Sequence, residues 1–272
     1  ADGTIPSAAR PIATSTSRLR VSAENVMVGI RSKGPLTWGF LRGPKYTINP
    51  LAVERIARLG ADRMRLAYFD CIAGISGDSA LGALVDAGVD RTELRAHLST
   101  LPLEPFELEF EEVDEHGVGA IRAEVRTSRT AGVIRTYASV RALLDASDLP
   151  PDALHLAHRI FHRYAEAEAR VQRRDIETVT FHELAGLDAI VDVTGTALGL
   201  TMLGVERVFS SAVPTGLGMA RTEHGATPIP SATVIELLRG APVFSRGVSA
   251  ELTTATGAAI LAATVEGYGE LP

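Results

Sequence analysis

The chain has 272 residues, 46% of them hydrophobic, with a formal net charge of −6 and one cysteine, Cys71. That content supports one large or two small packed domains. The acidic balance argues against a general nucleic-acid binder, and a lone cysteine excludes an internal disulfide framework and an all-cysteine metal site.

Residues 1–63 hold ten basic and four acidic side chains, and both lysines, Lys33 and Lys45, lie there; residues 64–272 carry a net −12. A break of this kind marks a boundary. Residues 1–63 are therefore expected to be a basic, flexible N-terminal extension, with one short helical candidate at 51–60, and Met64 the start of the functional body. No run approaches the ~20 apolar residues that span a bilayer, and no secretory h-region is present, so a cytoplasmic location without membrane contact is expected.

From Met64 the signals sharpen. RLAYFD (65–70) reads as a buried strand, CIAGISGD (71–78) as a loop, and SALGALVDAG (79–88) as a helix with Asp78 at its N-cap and Gly88 beyond its end. A second helix follows Asp90 at 91–100. FELEFEEV (106–113) and VGAIRAEVRT (118–127) alternate in polarity and form a hairpin with one wet face. Helices are expected at 137–147 and, opening on Pro150-Pro151, at 151–172. VTF (179–181) is a short strand, 184–204 a helix, RVFSSAVP (207–214) a strand, 231–240 a helix capped by Ser231, APVFS (241–245) a strand, and 256–269 the last helix. Strands alternating with helices give an α/β class with α+β character: a mixed sheet, flanking helices and an antiparallel hairpin.

FHELAGLDAIVD (181–192) places Asp188 and Asp192 one helical turn apart on a face continued by Gly195, Thr196 and Gly199. Buried carboxylates need arginines, backbone donors, water or a metal. The bland reading is a solvated or arginine-paired edge. His182 and Glu183, just ahead of the helix, make a divalent cation the sharper one, and the spacing is not that of a zinc HExxH motif.

The turn FDCIAGISGD presents Gly74 and Gly77 at a helix start, suited to an anion, with Asp70 and Asp78 able to flank a cation; a tight turn with an N-cap is the alternative. Cys71 is either a soft ligand or buried packing. His155, His158 and His162 line one helix face and could bind a metal or edge a helix interface. Between 214 and 233, the loop residues Gly216, Gly218, Arg221 and His224 could position an anionic ligand. Thr256 and Gly257, at the start of the last helix, could do the same; capping and turn chemistry is the alternative for both.

Several of these segments resemble the LarC-type nickel insertion proteins. They are YFDCIAGISGD (68–78), LGALVDAGV (81–89), AEAEARV (165–171), FHELAGLDAIVD (181–192), EHGATPIPSAT (223–233) and ELTTATGAAIL (251–261), with the Gly117-Val118-Gly119 turn. The resemblance covers residues 64–272 and implies a cytoplasmic nickel chelatase, a lyase. Such a protein inserts Ni²⁺ into pyridinium-3,5-bisthiocarboxylic acid mononucleotide to mature the nickel-pincer cofactor of lactate racemase. CTP is consumed, with Mg or Mn handled by a C-terminal domain.

The same resemblance makes His182, Glu183, Asp188 and Asp192 the principal polar cluster, with His182, Glu183, Asp70 and Asp78 as metal candidates. Three departures stand out. TAGVIRTYASV (130–140) lacks the family's His-rich stretch. Ser79 and Gln172 replace a usual methionine and histidine. The C-terminal domain lies beyond Pro272, so the chain is equivalent to the N-terminal portion. A scaffold, oligomerising or substrate-docking domain working with a separate C-terminal partner is the rival expectation, and a metal-dependent hydrolase a weaker one.

Overall fold

The computed structural model of the chain describes residues 27–28, 65–115, 118–127, 135–181, 186–222 and 225–270. Strand β1 (Met27–Val28) pairs antiparallel with β2 (Leu66–Asp70), Met27 facing Asp70 and Val28 facing Phe69. Apart from those two residues, the expected N-terminal extension lies outside the described residues.

Loop 71–76 leads from β2 into α1 (Gly77–Asp86), and α2 (Arg91–Leu98) follows, its N-cap Asp90 accepting from the N–H groups of Thr92 and Glu93. The N-cap of α1 is Ser76, and Asp78 sits inside the first turn, which corrects the sequence expectation. The cause is local. The Ser79 hydroxyl accepts the Ser76 N–H at 2.9 Å, so the pair closes the helix start two residues earlier than the Asp78 reading allowed.

The hairpin of β3 (Phe106–Glu115) and β4 (Val118–Thr127) pairs Glu111 with Arg122, and its Leu108, Ile121 and Ala123 are buried. β4 lies against α1 at Gly82, where a side-chain carbon would come within 2.3 Å of the Ile121 carbonyl oxygen. β5 (Arg135–Thr136) runs into α3 (Tyr137–Asp145). After α4 (Pro151–Gln172), β6 (Thr180–Phe181) returns antiparallel to β5. α4 begins on Pro151 as the sequence indicates, and buries Ala153, Ala157, Ile160, Phe161 and Tyr164 along one stripe.

α5 (Leu187–Met202) is the central helix, buried almost all round. Its Gly195 and Gly199 face α1, where side-chain carbons would lie 3.0 Å from Leu81 and 3.1 Å from Leu84. The small face seen in the sequence is thus a helix–helix contact. Beyond α5 come β7 (Arg207–Ser210), β8 (Val213–Pro214), the antiparallel hairpin of β9 (Gly218–Thr222) and β10 (Gly225–Ile229), α6 (Ala232–Leu237), β11 (Val243–Phe244), α7 (Ala255–Thr264) and β12 (Val265–Tyr268).

The main sheet has the order β1-β2-β7-β12, with β2, β7 and β12 parallel. The α/β expectation is correct. Three boundaries are not as expected. The strand expected at 207–214 breaks at Ser211-Ala212 and continues in a second sheet, β8 pairing parallel with β11. The glycine-rich stretch at 214–233 contains a hairpin, whose strands are largely exposed and so lack an apolar alternation. The last helix stops at Thr264, because β-branched Val265 turns extended and docks beside Val208. Among the described residues no helix is long and apolar enough to cross a membrane.

Candidate functional site

Three segments meet beyond the carboxyl ends of β2 and β7. Loop 71–76 lies against residues 250–254, with Ile75 N–H donating to the Leu252 carbonyl at 3.1 Å and Thr254 N–H to the Ile75 carbonyl at 3.1 Å. The Thr253 hydroxyl donates to the Pro214 carbonyl at 2.7 Å, which ties in the third segment. Glycines permit this closeness. A side-chain carbon on Gly74 would stand 1.8 Å from the Leu252 oxygen, one on Gly216 1.8 Å from the Ala250 oxygen, and one on Gly257 2.1 Å from the Ile75 oxygen.

Five of the residues expected to hold an anion, Gly74, Gly77, Gly216, Thr256 and Gly257, are therefore brought together. Part of their donor capacity is used internally: Gly74 N–H donates to the Cys71 carbonyl and Gly257 N–H to the Thr254 hydroxyl. Gly218 stands apart at the start of β9 with open space beside it. Arg221 lies on β9 opposite Ala226, its side chain outside the description, and His224 lies outside the described residues.

The acids converge from another side. Gly77, at the start of α1, touches both the α5 and α7 helices: a side-chain carbon there would lie 2.7 Å from Asp192 Cβ, 2.8 Å from Asp192 Oδ2 and 2.6 Å from Thr256 Cγ2. Asp192 is only 8% exposed, and its Oδ1 has no hydrogen-bond partner among the described residues. Burial pushes its carboxyl well above the usual carboxylate range, and the charges of Asp78 and Asp188 push in the same direction. Among the described residues no arginine or donor opposes them.

Asp188 sits exposed in the first turn of α5. Asp78 accepts from the Ser76 hydroxyl and from Ser79 N–H. Asp70 is half-buried at the end of β2; burial raises its pKa, while the Ser211 hydroxyl and the charge of Arg246 lower it. Thr196, one turn below Asp192, is fully buried, and its hydroxyl is also without a partner among the described residues. By contrast, Thr201 and Thr264 donate to carbonyls of their own helices.

His182 and Glu183 lie outside the described residues. Among the described residues no group of three or more His, Cys, Asp and Glu is arranged to hold a metal ion. The histidine stripe is an interface edge: His158 Nε2 is 2.8 Å from Asp145, and His162 Nδ1 is 3.1 Å from the Tyr137 hydroxyl.

Cys71 is fully buried, its thiol pushed up to about 12 by burial. It is therefore expected to resist iodoacetamide at pH 8 in the folded protein and to react only on denaturation. Rapid labelling of the native chain, read by mass spectrometry, would contradict that packing.

Two acids escaped sequence reasoning. Glu251 is half-buried, pairs across from Gly216, and has its pKa raised by burial. Glu168 is 4% exposed and lies on the buried stripe of α4. The available signal was its spacing, because 157, 161, 164 and 168 share one helical face.

A family described as nickel insertion protein matches residues 67–272. Among curated relatives, a putative nickel insertion protein of Geobacter sp. (strain M21) is 43% identical over 209 residues, covering 77% of this chain and 54% of that protein. Another, of Gloeobacter violaceus, is 46% identical over 213 residues, with 77% and 51% covered. The pyridinium-3,5-bisthiocarboxylic acid mononucleotide nickel insertion protein of Desulfitobacterium hafniense (strain DSM 10664 / DCB-2) is 40% identical over 209 residues, with 77% and 52% covered. The chain spans about half the length of the curated relatives it matches. No solved structure matches it.

Proposed function

The chain belongs to the nickel insertion protein family, and from that premise we propose that it acts in placing Ni²⁺ into pyridinium-3,5-bisthiocarboxylic acid mononucleotide. The observation that supports this reading is the buried Asp192, its Oδ1 without a hydrogen-bond partner and set among Asp78 and Asp188 with no opposing positive charge among the described residues. Such a group gains from a cation brought beside it. His182 and Glu183 stand a few residues ahead of α5 in sequence and supply the nitrogen and oxygen donors a borderline ion accepts.

In this reading Asp188 and Asp192 complete the polar cluster, and Asp70 and Asp78 lie at its edge. Histidine and carboxylate donors release nickel more readily than thiolates do, as a protein that hands the ion on requires. Gly74, Gly77, Gly216, Thr256 and Gly257 shape the neighbouring backbone for the anionic mononucleotide, with Gly218 and Arg221 on the adjoining hairpin and His224 close to them in sequence. CTP dependence, Mg or Mn, the chelatase (lyase) reaction, service to lactate racemase and a cytoplasmic setting belong to the same proposal for the complete protein. Residues 64–272 are the working unit in it, so deletion of 1–63 should leave nickel uptake unchanged.

Calorimetric titration of the full chain with Ni²⁺ tests the proposal. A His182→Ala, Asp192→Ala double variant that keeps wild-type affinity would sink the metal assignment. The stretch TAGVIRTYASV (130–140), which holds no histidine, favours a second reading, in which this chain is a docking or oligomerising scaffold for chemistry done elsewhere. Nickel insertion by the chain alone, with CTP and the pincer precursor supplied, would end that reading.

A further inference from the structure

Glu168 is a carboxylate on the buried face of α4, and its two oxygens serve three different side chains. Oε1 accepts from the Tyr164 hydroxyl at 2.8 Å and from the Thr233 hydroxyl at 3.0 Å. Oε2 accepts from the Gln172 amide, which also donates to the Thr180 carbonyl at 3.0 Å. Burying a carboxylate is costly, and here several donors offset the cost.

The places these donors come from matter more than their number. Thr180 and Phe181 form β6, and the next two residues are His182 and Glu183. Phe181 is itself fixed from α4, lying edge-on to the Tyr164 ring at 4.9 Å between centroids and stacked with Phe161 at 6.3 Å. Tyr164 thus packs against β6 with its ring and holds Glu168 with its hydroxyl. Thr233 lies in the first turn of α6, directly after the β9–β10 hairpin that carries Arg221. One buried carboxylate therefore tethers the segment entering the His182-Glu183 pair and the segment leaving the hairpin to the same helix.

We propose that Glu168 is a positioning residue of the nickel site: through Gln172 and Thr180 on one side and Thr233 on the other, it fixes to α4 both the strand from which the chain continues to His182 and the helix that follows the hairpin. It touches neither metal nor substrate and acts through the residues it holds. The inference rests on the nickel reading given above. Outer groups that orient metal ligands typically change affinity by about 10–100-fold when lost.

The test uses the full chain, with Ni²⁺ as the probe, and reads three quantities: the dissociation constant by calorimetry, the ligand-field absorption of the bound ion, and the melting temperature. Glu168→Gln replaces one acceptor oxygen with a donor that faces donors. It is expected to weaken Ni²⁺ binding by about tenfold or more and to shift the absorption bands. Thr233→Val and Gln172→Met each cut one tether and are expected to weaken binding by a smaller factor.

A lowered melting temperature with Ni²⁺ affinity and spectrum unchanged would reduce Glu168 to ordinary core support and overturn the proposal. Should Glu168→Gln fail to fold, the two single-tether variants decide. Weaker binding or a shifted spectrum in either upholds it, and wild-type behaviour in both overturns it. If the wild-type chain itself took up no Ni²⁺, the nickel reading would fall and this inference with it. Wild-type uptake that His182→Ala abolishes and Glu168→Gln leaves intact would remove the inference alone.

Discussion

Gly74→Ala is expected to cost about 3–5 kcal/mol of stability, placing it among the most damaging single substitutions this chain can receive. Two effects add. Gly74 has φ of +108°, a region where a side chain is strained, and the added carbon would stand 1.8 Å from the Leu252 carbonyl oxygen. Neither clashing partner can yield easily, since both are backbone. The Leu252 carbonyl also accepts the Ile75 N–H at 3.1 Å, so pushing it away breaks the junction of loop 71–76 with 250–254.

Gly88→Ala is the matched control. Gly88 has φ of +114° but nothing within 4 Å of the added carbon, so only the conformational strain of about 1–3 kcal/mol applies. Urea unfolding of the two variants separates the terms. Equal losses in both would mean that the close approach at Gly74 relaxes without cost, contrary to the packing described.

Asp192→Asn is expected to raise the thermal midpoint at pH 7, in the absence of added metal, by removing an acid that burial forces to take up a proton; the gain is about 1–3 kcal/mol. The sign follows from the raised carboxyl. The folded chain holds this proton at pH values where the unfolded chain has released it. Stability from this group is thus greatest below the ordinary carboxylate value and declines as pH rises toward the raised folded value. The asparagine variant should lack that decline. Melting curves of both proteins from pH 4 to pH 8 provide the check, and a wild-type profile that rises across that window in parallel with the variant would overturn the assignment. Under the proposed function the same variant loses nickel affinity, so stability and activity move in opposite directions, as they do where a site keeps an unfavourable group for use.

The local elements were legible because their signals are local. Pro150-Pro151 and the 3.6-residue stripe from Ala153 to Tyr164 define α4, and Asp90 announces α2. The cap of α1 was misplaced by two residues because Ser76 and Asp78 are both competent caps and only the Ser79 hydroxyl decides between them. The β9–β10 hairpin was hidden by its exposure, since strands with no buried face carry no alternation. At the site, the acids on α5 were visible as polar residues at helical spacing in an apolar helix. The reason for the glycines was not. What excludes a side chain at Gly74 or Gly216 is a carbonyl at Leu252 or Ala250, and no window of sequence contains both partners. Glu168 was passed over for the same reason: its donor Thr233 belongs to a helix far along the chain.

The interlock of Ile75 with Thr253 bears on how the protein is made. A ribosome releases the 71–76 loop long before the residues that complete it, and β2 must wait for β7 before it gains a parallel neighbour. Pairings this distant are slow to form, and the waiting strand edge is open to wrong partners. The α1–α2 unit and the β3–β4 hairpin can form early, whereas the cluster around Asp192 is assembled only when α7 arrives. A nascent chain arrested before residue 255 would therefore hold most of its secondary structure and none of its completed site, and such chains are where chaperone dependence of this protein should be sought.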